Sequence, residues 1–198
     1  MRESRDMPAL QNDTFRCDHL GASERDWQDI QDFSVKDPRG EGLAYYLRHM
    51  AFPDEEAGLM RTYLVREARG EELVGYFSLK AGLVSFNETT SEEGTAFDTL
   101  PGIELANIAL SDGYVRRTPG LKGVGQIIFT RLIRPLVKDV STRIGAKALY
   151  IFALPFDGLI RRYEHYGFRR LESAHEADVH RRLKPRYDDE CIFMYQML

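Results

Sequence analysis

The segment TPGLKGVGQIIF, residues 118–129, sets three glycines (Gly120, Gly123 and Gly125) between an apolar strand-like run and a long helical one. Glycine at such a join allows left-handed backbone angles and lets the main chain approach a bulky ligand closely. A helix starting there adds the attraction of its dipole for an anion. The backbone of Leu121, Lys122, Gly123, Val124, Gly125 and Gln126 therefore either cradles phosphate oxygens or simply shapes a turn, and Lys122 adds a mobile positive charge. Two common nucleotide loops fit poorly. No Gly-Lys-Ser/Thr ending makes a P-loop, and a dinucleotide fingerprint would need glycine where Ile128 stands.

The surroundings of this join dictate an α/β chain. IELANIAL (103–110) reads as a strand before it. The helical run after it carries Ile128, Leu132, Leu136, Val140 and Ile144 at fourfold spacing, which predicts a core-facing stripe. Pro135 falls inside that stripe and should kink or divide the helix. ALYIFAL (148–154) comes next as a buried strand. Asp157 can open a short helix through Tyr166, ended by Gly167 in a left-handed conformation. FRRLESA and CIFMYQM read as later strands.

Upstream, Ser23 offers an N-cap for a helix over about 24–34 with Trp27, Ile30 and Phe33 on one side. EGLAYYLRHM reads as a second helix that ends before FPDEEAG. Strands near 62–68 and 72–84 flank ARGEE as a hairpin. Residues 85–102, SFNETTSEEGTAFDTLPG, are polar and rich in turn formers and read as a long loop. With no internal repeat or linker, 198 residues suit a single domain, 1–198, with a helical N-terminal region over 1–60 on its substrate side.

Charge and cysteine content narrow the setting. The net charge of -4 hides an asymmetry: residues 1–100 hold 11 basic and 20 acidic side chains, and residues 101–198 hold 16 and 11. Such a split can draw an anionic ligand to the C-terminal half. Cys17 and Cys191 lie far apart in no ligand pattern, and no metal set is expected. Two buried free thiols, no signal-like segment and no apolar run of about 18 residues predict a reducing, cytoplasmic setting and no membrane partner.

The glycine join gains weight from a second motif downstream, DGLIRRYEHYGF (157–168). The two motifs together resemble the GCN5-related N-acetyltransferase (GNAT) superfamily. That family's Q/R-x-x-G-x-G/A loop falls on Gly120-Leu121-Lys122-Gly123-Val124-Gly125, and its Y-x-x-x-G-F-like segment on Tyr163-Glu164-His165-Tyr166-Gly167-Phe168. The resemblance covers about 60–175, with departures at Gly120, Phe156 and Leu159. It implies a twisted, splayed, mostly antiparallel sheet flanked by helices, opening near 103–110 and 148–154. It also implies direct attack of a primary amine on acetyl-CoA in a ternary complex.

On the same resemblance, Tyr163 is the expected proton donor to the departing sulfur, or else an anchor of its helix. Glu104 is the expected base for the amine, or else a solvated strand-end carboxylate. Ile108, Ala109 and Leu110 match the strand whose backbone holds the pantetheine arm, and residues 121–126 match the pyrophosphate cradle. Tyr166 fits packing or substrate contact better than acid catalysis, and His165 should point elsewhere. Cofactor demand reduces to acetyl-CoA.

The acceptor stays open between a small-molecule amine and a protein amine. The chain is also similar in outline to toxin-type acetyltransferases that modify aminoacyl-tRNA. Arg161-Arg162, Arg169-Arg170 and Arg181-Arg182 with Lys184 and Arg186 could hold phosphates of such an acceptor. A catalytically silent acyl-CoA-binding regulator is the alternative of a different class, and a homodimer is left open.

Overall fold

Alternating apolar and β-branched side chains pair β3 (Arg61–Glu67) with β4 (Leu73–Ser91), Tyr63 opposite Phe77 and Thr62 opposite Ser78. This hairpin lies close to the predicted strands. The computed structural model describes residues 10–11, 13–91, 94–182 and 190–198. These fall into two compact units, one drawn from Met1–Lys80 with Ala106–Leu136, the other from Ala81–Leu105 with Val137–Leu198.

In the first unit, β1 (Leu10–Gln11) pairs with β2 (Phe15–His19), and β2 pairs with β3, all antiparallel. A bulge between Val65 and Arg66 bends β3 against β4. The C-terminal part of β5 (Gly94–Leu110) belongs here, Ser111 N donates to Val74 O at 2.9 Å just beyond its end, and α4 (Asp112–Arg117) follows. Helices α1 (Asp26–Gln31), α2 (Glu41–Tyr45) and α3 (Ala51–Glu56), with the turn between α2 and α3, contribute Ile30, Ala44, Leu47 and Ala51 to a core shared with Leu64 and Tyr76.

α1 does not bury the face its sequence suggests. Ile30 and Phe33 are inside, but Trp27 is 55% exposed against Phe52, and Asp26 is buried in its place. The cause is Arg66, whose guanidinium bonds Asp26 at 2.9 Å and Asp29 at 2.8 Å. A buried cation must be paired, and that demand outweighs the ordinary preference for burying an indole. Ser23 Oγ accepts from Arg25 N at 3.2 Å and does not reach the Asp26 amide. Instead the Asp26 carboxylate accepts from Gly21 N and Ser23 N.

Two prolines meet the same solution. The sequence predicts that α2 stops before Phe52, yet the chain continues through a π-helical turn (Tyr46–Met50) into α3, which contains Pro53. α5 (Val124–Ile128) likewise passes through a π-helical turn (Phe129–Ile133) into α6 (Arg134–Ile144), which contains Pro135. Ala51 N bonds to Tyr46 O and Arg134 N to Phe129 O, five residues back in each case. The widened turn makes room where the proline ring would strike the carbonyl four residues before it. The stripe expected along this helix holds at Ile128, Leu132 and Leu136. It then lapses: Val140 is half-buried and Ile144 is 59% exposed.

In the second unit, β6 (Ala148–Ala153) pairs antiparallel with β8 (Ile192–Met197), which also pairs with β7 (Arg169–Arg170). β5 runs parallel to β6, with Gly102, Ile103 and Glu104 opposite Ala148, Leu149 and Tyr150. Val84, Tyr150, Val179 and Phe193 form its core.

Two expectations fail here. Residues 85–102 are no loop: β4 reaches Ser91 and β5 begins at Gly94. Ladder hydrogen bonds belong to the backbone, so a polar stretch rich in threonine and phenylalanine extends a hairpin as readily as an apolar one. FRRLESA supplies only the two residues of β7, and Ser173 opens α8 (Ser173–Arg182).

Candidate active site

α7 (Asp157–His165) explains its own tyrosine-rich end. Gly167 has φ +95°, and the amides of Phe168 and Gly167 return to Tyr163 O at 3.0 Å and Glu164 O at 2.9 Å. These are the two bonds of a Schellman closure, and its usual hydrophobic clasp is present too. The Tyr163 ring meets Phe168 edge-on at 5.7 Å and Tyr166 at 6.2 Å. Tyr163 is 5% exposed. Tyr163 thus packs into the end of its own helix, beside a Tyr166 that is also buried. Burial raises the Tyr166 phenol above its ordinary value against the opposing pull of Arg162. His165 is exposed on another face.

The glycine join also forms as predicted. Gly123 is the N-cap of α5, with φ 74° and ψ 15°. A Cβ there would meet nothing within 4 Å, so the left-handed angle, not crowding, requires glycine. Ile127 N to Gly123 O, at 3.0 Å, opens the helical ladder, so the amides of residues 123–126 precede it. Leu121, Lys122, Gly123 and Gln126 are exposed, Gly125 is half-buried, and Val124 is tucked into the core.

Ile108, Ala109 and Leu110 close β5, Ala109 buried and its neighbours half-buried. Gly75 on β4 fixes their backbone: a Cβ at that position would overlap the Ala109 carbonyl oxygen and stand 3.3 Å from Leu110.

Glu104 is half-buried and stands opposite Tyr150 in the β5–β6 register. Tyr150 is 1% exposed, and burial first, then Glu104, pushes its phenol far above the ordinary tyrosine range. By sequence pattern alone Tyr150 is an ordinary residue of a buried strand. The signal that could have found it is Gly82, an isolated glycine inside a strand, which marks a close approach. A Cβ at Gly82 would overlap the Tyr150 hydroxyl, and one at Gly102 would stand 3.1 Å from its ring.

Of the basic clusters, Arg170 pairs with Glu176 at 3.1 Å and Arg181 pairs with Asp178, so these charges are partly spoken for. Arg161, Arg162 and Arg169 are exposed and make no ion pair among the described residues. Lys184 and Arg186 lie outside the described residues. Cys17 and Cys191 are buried free thiols, as expected. Among the described residues no group of His, Cys, Asp and Glu forms a metal cluster, and no helix is long and apolar enough to cross a membrane.

The architecture, mixed α/β with mostly antiparallel strand pairs, is similar to that of solved structures of the toxin AtaT and of KacT. A tyrosine-to-phenylalanine mutant of KacT superposes with a TM-score of 0.64 at 16% identity, covering 93% of this chain and 95% of that one. A tyrosine-to-phenylalanine mutant of AtaT bound to the C-terminus of the antitoxin AtaR and acetyl-CoA gives 0.63 at 17%, covering 94% of each chain. AtaT complexed with acetyl-methionyl-tRNAfMet gives 0.61 at 17%, covering 90% of this chain and 93% of that one. No family model and no curated protein matches the chain in sequence.

Proposed function

We propose that this chain is an acetyl-CoA-dependent N-acetyltransferase of the toxin type, with the amino group of an aminoacyl-tRNA as acceptor. The supporting observation is the shared fold over nine-tenths or more of both chains with structures that include AtaT holding acetyl-CoA and AtaT with an acetylated aminoacyl-tRNA. That likeness favours the tRNA acceptor over a free small amine or a protein amine. The exposed Arg161, Arg162 and Arg169 supply cations of the kind a phosphate backbone needs. By the same likeness an antitoxin-like protein is the partner to look for.

The residues present suit an acyl-CoA. Gly123 turns left-handed just before α5, and the amides that precede the helical ladder are of the type that takes pyrophosphate oxygens. Acetyl-CoA supplies an acetyl group activated as a thioester. In this reading the backbone of residues 121–126 holds its phosphates, and that of Ile108, Ala109 and Leu110 holds the pantetheine arm. Glu104 takes the proton of the attacking amine, directly or through a water, and Tyr163 gives a proton to the departing sulfur. The ring clasp on Tyr163 limits the rotamers its phenol can adopt, which favours such a role.

The test is mass spectrometry after incubation with acetyl-CoA and separate pools of charged tRNAs, proteins and small amines. Acetylated aminoacyl-tRNA is the expected product. Tyr163→Phe should then keep the fold and most acetyl-CoA affinity while slowing transfer by on the order of 100-fold. Acetylation confined to small amines or proteins would refute the tRNA acceptor. An unchanged rate in Tyr163→Phe, with chemistry rate-limiting, would remove Tyr163 from the mechanism.

A further inference from the structure

Basic side chains are not spread evenly along the chain. From Gly113 through Lys138 six cations (Arg116, Arg117, Lys122, Arg131, Arg134 and Lys138) occur without one carboxylate. The first two are neutralised within the fold: Arg116 pairs with Asp112 and Arg117 with Glu72. Lys122 belongs to the glycine join. The last three lie on the helix that starts at that join, Arg131 in its π-helical turn and Arg134 and Lys138 in α6. All three are exposed, while Leu132, Ile133, Leu136 and Val137 between them are buried, so one side of this helix packs and the other presents cations. None of the three makes an ion pair among the described residues. Arg143, further along the same helix, pairs with Asp139 at 2.9 Å.

Like charges three and four positions apart repel across a helix face, and no ion pair relieves them here. Anions settling on the face would relieve them. At 1.5 Å per residue the three cations span about 10 Å of helix axis, a length over which one strand of a duplex presents about three phosphates. We propose that the exposed face carrying Arg131, Arg134 and Lys138 holds the phosphate backbone of the acceptor tRNA. This rests on the tRNA reading and adds to it a surface that the adjacent-arginine clusters do not include. Phosphate contacts set affinity and orientation and read no base, so the face serves any charged tRNA alike.

The probe is pooled, 5′-labelled aminoacyl-tRNA, titrated over a range of salt without acetyl-CoA. Each of Arg131→Gln, Arg134→Gln and Lys138→Gln should make the slope of log affinity against log salt shallower by about 0.7–0.9. The triple variant should lose about 2 to 3, with its acetyl-CoA Kd by calorimetry unchanged. Arg143→Gln, exposed on the same helix but ion-paired, should leave the slope as it is. An unchanged slope in the triple variant would overturn the inference. So would an equal change in Arg143→Gln, which would reduce the effect to bulk charge. A weakened acetyl-CoA Kd in the triple variant, with the tRNA slope intact, would give the face to the cofactor's phosphates. Polyglutamate binding lost in that variant, again with the slope intact, would give it to an acidic protein. Each of these results leaves acetylation of aminoacyl-tRNA by the wild type standing. No acetylated aminoacyl-tRNA from the wild-type protein would instead overturn the tRNA reading, and this inference with it.

Discussion

In the first unit Arg66 is buried among Asp26, Asp29 and the Glu71 carbonyl, at 2.9, 2.8 and 2.7 Å. In the second, Tyr150 is buried beside a Glu104 that is only half-covered. Both place a polar group inside a sheet protein, but in different surroundings. The Asp26 carboxylate takes Arg66, Gly21 N and Ser23 N, and it is closed to solvent. Its bonds hold the turn before α1 in place and tie α1 to β3. Glu104 is only half-covered, so solvent reaches it. A saturated, fully buried network fixes structure, whereas a half-open one can also exchange protons.

The sharpest way to break that contrast is Asp26→Ala. It strands a buried guanidinium with one carboxylate partner fewer and removes the acceptor for two turn amides, so urea denaturation should show a loss of about 3–5 kcal/mol. A loss below about 1 kcal/mol would mean that Arg66 reaches water on its own. Gly75→Ala should come next, at about 1–3 kcal/mol, because its Cβ overlaps the Ala109 carbonyl and backbone, not a flexible side-chain tip, must give way. Calorimetric titration of the same variant should show weakened acetyl-CoA binding, since residues 108–110 shift with it. Unaltered stability and binding would show that the close approach on β5 is tolerant. The smallest effect should be the stability of Glu104→Gln, a change of less than about 1 kcal/mol, because the two side chains share a shape and the group is half-exposed. A loss as large as that of Asp26→Ala would erase the distinction between the two regions.

What the sequence made legible was local. The Gly123 turn, the end of α7 at Gly167, the strand over 148–154 and the divided helix at Pro135 each rest on a backbone rule that acts within a few residues. What it concealed depended on partners far along the chain. Asp26 displaces Trp27 from the interior because of Arg66, forty positions later. The strands within 85–102 exist because each supplies the other's hydrogen bonds, which a polar composition does not reveal. Glu104 was visible as a carboxylate on a strand, but the close packing around Tyr150 depends on the β5–β6 register and the absent side chains at Gly82 and Gly102.

The closure that ends α7 carries one more implication. The carbonyl of Tyr163 is tied to the Phe168 amide, and its ring is clasped by the Phe168 ring. A helix terminus is ordinarily the first part of a helix to fray, yet here fraying and misplacement of the phenol are a single event. The proposed acid therefore has a duty cycle: its time in position is bounded by the time this terminus stays wound. A substitution at Gly167, whose φ +95° keeps it wound, would reach the chemistry by shortening that interval and not by touching a reacting atom.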